Sequence, residues 1–293
     1  MTTASFEGII PILITPFDSK GRIDADSLKS LVEFNIKAGV HGLGLAIGSE
    51  IFKLTEAERA ELLRLVVEAV AGRVPVIMNT SANGTDLSIH YARQAKDCGA
   101  DALMMFPPSF MPVGADGTLD HFAALAEACD LPVILQDVPQ GPIPPALAKA
   151  IALRAPQVVA IKVETLPTVP QVAAMAAHVG RCLTVIGGAA GSYMIEEYRR
   201  GARGTMPFCS QPEDFLAVWH HLEAGDEAAA RARLDSRIMA INRLGAQEGD
   251  LFYHLHKQIL KRRGIIAHSF VRSPTVTVSK TTQAEIDALL EMF

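Results

Sequence analysis

The chain has 293 residues, 49% of them hydrophobic, so it can bury a large core as one α/β domain or as two smaller ones. Its net charge is −5 and its basic residues are scattered, which excludes the basic surface of a nucleic-acid-binding protein. We also expect no membrane association, because the sequence lacks an apolar run long enough for a transmembrane helix and lacks a signal-peptide pattern.

Cysteine and histidine spacing gives no sign of a metal site. The four cysteines are far apart, which argues against a zinc site or a disulfide framework and favours a reducing cytoplasm. We expect all four, Cys98, Cys129, Cys182 and Cys209, to be small buried apolar side chains. No histidine pair has metal-ligand spacing, and we expect neither a metal nor a cofactor.

Short apolar runs alternate with amphipathic segments along most of the chain. The runs predict eight strands, at 8–15, 42–47, 75–79, 102–106, 132–136, 158–163, 183–187 and 204–206. Helical spacing follows several of them, for example at 55–71, 85–98 and 118–129. Eight βα units predict an α/β fold, a (β/α)₈ TIM barrel, and no G-x-G-x-x-G follows a strand as a doubly wound fold would require.

After the eighth predicted strand the pattern becomes entirely helical. Helices are predicted at 213–224, 226–244, 249–262 and 282–293. We therefore expect a barrel over residues 1–210 and a C-terminal helical extension, residues 211–293, packed on it.

The sixth predicted strand contains one lysine in an otherwise apolar run, V-V-A-I-K-V-E. Alternation along a strand places Lys162 and Glu164 on one face. They also lie at the carboxyl end of the strand, where barrel active sites are found. A desolvated amine is what a Schiff-base nucleophile requires. The alternative is an edge-strand lysine that reaches solvent beside a partner glutamate.

Several motifs appear in a fixed order along these units. They are Thr15-Pro16-Phe17, Gly48-Ser49-Glu50, Asn79-Thr80-Ser81, Val138-Pro139 and Ile161-Lys162. Together they resemble the dihydrodipicolinate synthase / N-acetylneuraminate lyase family of class I aldolases and dehydratases. The resemblance covers essentially the whole chain and implies a Schiff-base lysine at Lys162. It also implies a small 2-keto acid as substrate and a homotetramer.

Departures from the family pattern indicate a narrower branch. The relay tyrosine of the synthases and lyases is replaced by Gln136, the arginine that follows is replaced near Gly141, and a second relay tyrosine corresponds to Ser109. Gln136-Asp137, with a serine before the turn glutamate and a glutamate two residues after the lysine, resembles L-2-keto-3-deoxyarabonate dehydratases. Those enzymes convert a 2-keto-3-deoxy-pentonate into 2-oxoglutarate semialdehyde.

The resemblance implies a mechanism in which Lys162 attacks the C2 ketone and forms an iminium that acidifies the C3 protons. Glu164 is the candidate acid/base, although it could instead only hold Lys162. Gln136 could bind the C4 hydroxyl or a water, or it could be a satisfied buried amide.

Three further positions are candidates for substrate binding. The Gly48-Ser49 turn could bind the substrate carboxylate through backbone N–H groups and the Ser49 hydroxyl, or Ser49 could only shape the turn. Gly188 follows the seventh strand and would allow close approach of substrate. Met206 would line the pocket or the core.

Two other functions are compatible with this sequence. A pyruvate-dependent aldolase would form the same enamine but break the C3–C4 bond. A catalytically inactive barrel could bind a small molecule, but binding does not require a buried amine at Lys162.

Overall fold

The computed structural model describes residues 6–293 and contains an eight-stranded parallel sheet. The strands are β1 Gly8–Ile9, β2 Leu43–Leu45, β3 Val76–Asn79, β4 Ala102–Met105, β5 Val133–Asp137, β6 Val158–Val163, β7 Thr184–Gly187 and β8 Gly204–Thr205. Their order is β1-β8-β7-β6-β5-β4-β3-β2. His41 N, just before β2, donates to Ile9 O in β1 at 2.8 Å, which brings the two ends of the sheet together. The predicted (β/α)₈ barrel is confirmed.

Twelve α-helices are found in the described part of the chain. They are α1 Ala25–Ala38, α2 Glu56–Val70, α3 Thr85–Asp97, α4 Ala115–Ala128, α5 Pro145–Arg154, α6 Thr168–Val179, α7 Met194–Tyr198, α8 Pro212–Glu223, α9 Glu227–Arg233, α10 Met239–Gly245, α11 Leu251–Arg262 and α12 Lys280–Leu290. Local signals fix several ends. For α2, the Thr55 side chain accepts from Glu58 N, and the Glu58 carboxylate accepts from Thr55 N.

Three sequence predictions are wrong in detail. The first strand was predicted over 8–15 but ends at Ile9, because Pro11 has no N–H to donate to a ladder. The helix predicted over 226–244 is interrupted by a π-helical turn, Leu234–Ile238, near which the Ser236 hydroxyl donates to Ala232 O at 2.7 Å. Cys182 is exposed, because it lies in the turn between α6 and β7, whereas the other three cysteines are buried.

The chain divides into two compact units. The first comprises residues up to Ile10, His41–Gly44 and Val74–Pro207, and it carries helices α3 to α7 and the sheet except for Leu45, the last residue of β2. The second comprises Pro11–Val40, Leu45–Arg73 and Phe208–Phe293 and is helical. One core cluster of the second unit consists of Ile241, Leu244, Leu251, Leu255, Ile259, Ile286 and Leu289. The predicted boundary at residue 210 stays a prediction.

The strands β3, β4 and β5 are buried at every position. Continuous burial is expected for parallel strands covered on both faces, and it explains why their sequences are apolar runs. Polar side chains in these strands are therefore exceptions. Within residues 6–293, no helix combines the length and the apolar character needed to cross a membrane.

Candidate active site

Lys162 and Glu164 form an ion pair at the carboxyl end of β6. Lys162 is only 4% exposed, and its Nζ lies 2.9 Å from Glu164 Oε1. Glu164 follows the last residue of the strand, and its N–H donates to Asp137 O at 2.8 Å, so the ladder with β5 continues to this position. The extended backbone brings positions 162 and 164 to one face. The structure therefore brings together the two residues that the sequence singled out.

Gln136 is the second side chain that binds the Glu164 carboxylate. It pairs in register with Lys162 across β5 and β6 and is buried. Its Nε2 donates to Glu164 Oε2 at 2.7 Å, and its Oε1 accepts from Asn79 Nδ2 at 3.1 Å. Because Asn79 takes the amide oxygen, the amide nitrogen must face Glu164. Each Glu164 oxygen thus has its own partner, Lys162 or Gln136.

Asn79 belongs to a motif named in the sequence analysis, but it was not predicted to be a site residue. It is the last residue of β3 and is 1% exposed. The sequence signal that could have identified it is an amide side chain at the carboxyl end of a predicted barrel strand. Its Oδ1 also accepts from Ser81 N at 3.1 Å, which holds the amide in one orientation.

Asp137 secures the loops that follow β5 and β6. Its Oδ1 accepts from Ile143 N at 2.8 Å and from the Thr165 hydroxyl at 2.7 Å. Its Oδ2 accepts from Thr165 N at 3.3 Å. Since Thr165 adjoins Glu164, these bonds fix the backbone on which the Glu164 carboxylate depends.

Gly188 lies directly against Glu164. A Cβ added at Gly188 would stand 2.3 Å from Glu164 Cγ and 2.7 Å from its Oε1. Glycine is therefore required at this position for Glu164 to reach Lys162. Met206 is buried, and its N–H donates to Gly187 O at 3.2 Å. The predicted substrate contacts of Gly188 and Met206 stay predictions.

Glu197 is a buried carboxyl near this site that the sequence analysis did not identify. It lies on α7, is 1% exposed, and its Oε1 accepts from the Thr168 hydroxyl at 2.6 Å. Within residues 6–293 its Oε2 has no hydrogen-bond partner. Burial, with an additional contribution from the charge of Glu164, raises the pKa of Glu197 from 4.5 to about 7.

The Gly48-Ser49 turn belongs to the second unit. The Ser49 hydroxyl donates to Leu13 O and accepts from Ala46 N at 3.0 Å, and Ser49 O accepts from the Thr15 hydroxyl at 2.5 Å. The only hydroxyl proton of Ser49 is thus donated to the backbone at Leu13. Carboxylate binding by Gly48 and Ser49 stays a prediction.

A second buried amine, Lys257, stabilises this turn. It lies on α11, and its Nζ pairs with Glu50 Oε1 and donates to Phe270 O at 2.9 Å. Both side chains of the pair are fully buried. Burial lowers the pKa of Lys257 to about 8, although the Glu50 carboxylate opposes this shift. Glu50, which follows Gly48-Ser49, has a φ of 57°, so the ion pair fixes the side chain of a residue whose backbone is left-handed.

Residues 5–293 match the model of the dihydrodipicolinate synthetase family. The chain belongs to this family. A 4-hydroxy-tetrahydrodipicolinate synthase from Acidithiobacillus ferrooxidans is 32% identical over 284 residues, covering 94% of this chain and 94% of that protein. One from Pseudomonas putida is 41% identical over 134 residues, or 45% of this chain. In that alignment the chain spans about half the length of the curated relative, 46%.

Solved structures of the dihydrodipicolinate synthetase family have the same fold. A dihydrodipicolinate synthase from Rhodopseudomonas palustris has a TM-score of 0.90 at 27% identity, covering 98% of this chain and 97% of that one. A prophage protein of the family from E. coli K12, solved in complex with pyruvate, has a TM-score of 0.89 at 25% identity, covering 99% of each chain. The predicted family is confirmed.

The buried Glu197 predicts a pH-dependent stability difference between the protein and its Glu197→Gln variant. The folded state holds the Glu197 proton up to about pH 7, whereas the unfolded chain releases it near 4.5. Stability contributed by this proton is complete below pH 4.5 and is lost as the pH rises through 7. Relative to Glu197→Gln, the free energy of unfolding should therefore fall by up to about 3 kcal/mol.

Denaturant unfolding of both proteins at several pH values measures this difference. Glu196→Gln, on the same helix, is the matched control and should retain the fall. A difference between Glu197→Gln and the parent that does not change with pH would contradict the prediction.

Proposed function

We propose that the protein is a Schiff-base-forming lyase that dehydrates a 2-keto-3-deoxy sugar acid. The proposed substrate is 2-keto-3-deoxyarabonate and the proposed product is 2-oxoglutarate semialdehyde. Membership of the family supports the lyase class. The observation that carries the finer proposal is the Gln136 amide, which donates to Glu164 where the synthases and lyases have a relay tyrosine.

The first steps require a neutral amine and a nearby base. Glu164, 2.9 Å from Lys162 Nζ, accepts a proton from the ammonium, and the amine attacks the C2 ketone of the substrate. Glu164 returns this proton to the C2 hydroxyl, which leaves as water and gives an iminium on Lys162. Because the electrons of a C3–H bond can then flow to the positive nitrogen, the carboxylate removes a C3 proton and an enamine forms.

The enamine expels the C4 hydroxyl, which leaves as water with the proton held by Glu164. Loss of a C5 proton and return of a proton to C3 convert the remaining alcohol into an enol. Hydrolysis frees Lys162, and the enol becomes the aldehyde. The substrate loses one water overall, and no oxidant is needed.

The amide at position 136 determines which group moves protons. A glutamine side chain donates and accepts hydrogen bonds but cannot release a proton as a phenol does. Gln136 therefore orients Glu164 and can bind the C4 hydroxyl. Proton transfer falls to the carboxylate, which lies beside the amine.

We assign the substrate carboxylate to the turn of Gly48 and Ser49, and the carbon chain of the substrate to the surroundings of Gly188 and Met206.

The protein would act as a homotetramer, as the resemblance implies. The apolar loop side chains of Phe110 and Met111, 81% and 73% exposed, are candidates for subunit contacts. Light scattering that gives the mass of one chain would exclude assembly. We also propose that the protein is cytoplasmic, because its four cysteines are free, as is typical of a reducing compartment.

The proposal is tested by incubating the protein with L-2-keto-3-deoxyarabonate and assaying two products. Semialdehyde without pyruvate is the expected result. Pyruvate with glycolaldehyde would identify an aldolase, since the C3–C4 bond would have broken. If neither product forms with any member of a panel of related 2-keto-3-deoxy acids, the proposed reaction is ruled out.

Lys162→Ala should abolish the covalent adduct that borohydride traps with pyruvate. The reason is that Lys162 supplies the nitrogen of the iminium. The mass of the intact protein after reduction is the measurement. Lys149→Ala, which removes an exposed lysine of α5, is the control and should still form the adduct. An adduct of equal yield in Lys162→Ala would place the Schiff base elsewhere.

Glu164→Gln should separate adduct formation from turnover. The variant keeps Lys162 and should still be trapped with pyruvate after long incubation. Its kcat for dehydration should fall by roughly 10²- to 10⁴-fold, the usual contribution of a general acid/base. Glu127→Gln, on the exposed surface of α4, should leave both readouts unchanged. A kcat within a factor of two of the parent would make Glu164 a structural partner only.

A further inference from the structure

Two consecutive glycines at the end of β7 each lie against a carboxyl group. A Cβ added at Gly187 would stand 2.1 Å from Glu197 Oε2, and one added at Gly188 would stand 2.3 Å from Glu164 Cγ. Successive residues of an extended chain face opposite sides. Glu197 and Glu164 therefore lie on opposite sides of one backbone segment with no side chain of that segment between them.

The surroundings of Glu197 favour a neutral carboxylic acid. The Thr168 hydroxyl at the start of α6 donates to Oε1, which leaves Oε2 as the oxygen that carries a proton. The charged groups that act on Glu197 are Glu164, from the end of β6, and Glu196, from its own helix. Both are negative, and the carboxyl is buried, so a second negative charge here is costly.

We propose that Glu197 is a positioning residue that acts through Glu164, by keeping Glu164 as the only negative charge of the pair. The inference rests on the proposed function, in which Glu164 must both accept a proton and release it to the leaving hydroxyl. When Glu197 ionises, its charge strengthens the hold of Glu164 on that proton. Release to the hydroxyl then becomes slower, and dehydration falls on the alkaline side.

A merely structural role for Glu197 makes a different prediction. In that role the side chain would only join α7 to α6 through Thr168. Glu197→Gln preserves an oxygen that can accept from Thr168 and places an uncharged NH₂ where the protonated oxygen stood. The variant therefore imitates the neutral acid at every pH, and a structural role would leave both Glu164 and the pH profile unchanged.

The first test follows the Glu164 carboxyl directly and does not depend on turnover. Protein labelled with ¹³C at the glutamate side-chain carboxyl is titrated by NMR, and the Glu164 signal is assigned as the one missing in Glu164→Gln. In the parent protein this signal should shift as Glu197 ionises, near pH 7. Glu197→Gln should lose this shift and Glu196→Gln should retain it. Identical titration of Glu164 in the parent and in Glu197→Gln would overturn the inference.

The second test measures dehydration across the same pH range. The kcat of the parent should fall by roughly threefold to tenfold on the alkaline side of the Glu197 ionisation, with KM unchanged. The fall should be absent in Glu197→Gln and present in Glu196→Gln. Superimposable kcat profiles for the parent and Glu197→Gln would also overturn the inference. Absence of dehydration by the parent at every pH would instead remove the proposed function, and the NMR titration distinguishes the two failures.

Discussion

The site depends on one costly feature, an ammonium group buried inside a parallel sheet. Lys162 is almost inaccessible to solvent, and a buried cation of this kind requires a partner. The partner is Glu164, and the space for it exists because Gly188 has no side chain. Breaking such a pair leaves the other charge buried and uncompensated. The remaining polar groups of the site can be understood as holding this pair in one geometry.

The arrangement of the strands explains how a few residues hold the Lys162–Glu164 pair in one geometry. Asn79 in β3 hydrogen-bonds Gln136 in β5, and Gln136 hydrogen-bonds Glu164. Glu164 in turn pairs with Lys162 in β6. Because all strands are parallel, their carboxyl ends meet at one edge of the sheet. A single amide orientation at position 79 therefore fixes the orientation of Gln136 and the donor that faces Glu164.

The parts of the structure that follow from regular apolar patterns could be predicted from the sequence, whereas local exceptions to the pattern and contacts between elements could not. The eight strands and the approach of Lys162 to Glu164 follow from apolar runs and from alternation along a strand. The early end of β1 depends on Pro11, which the apolar pattern concealed. Glu197 resembles any acidic residue of a short helix in the sequence, because its close approach to Gly187 arises only when α7 packs against β7.

The exchange of a phenol for an amide at position 136 has consequences beyond that residue. A relay tyrosine can carry a proton itself, so a neighbouring carboxylate need not do so. In the proposed mechanism, with Gln136 in place of the tyrosine, Glu164 changes its protonation state during each turnover, and any other negative charge nearby opposes one half of that cycle. A second carboxyl behind the strand is compatible with such a site only while it stays neutral. The burial of Glu197 meets that condition in the lower part of the physiological pH range, although the hydrogen bond from Thr168 opposes it by lowering the pKa of Glu197.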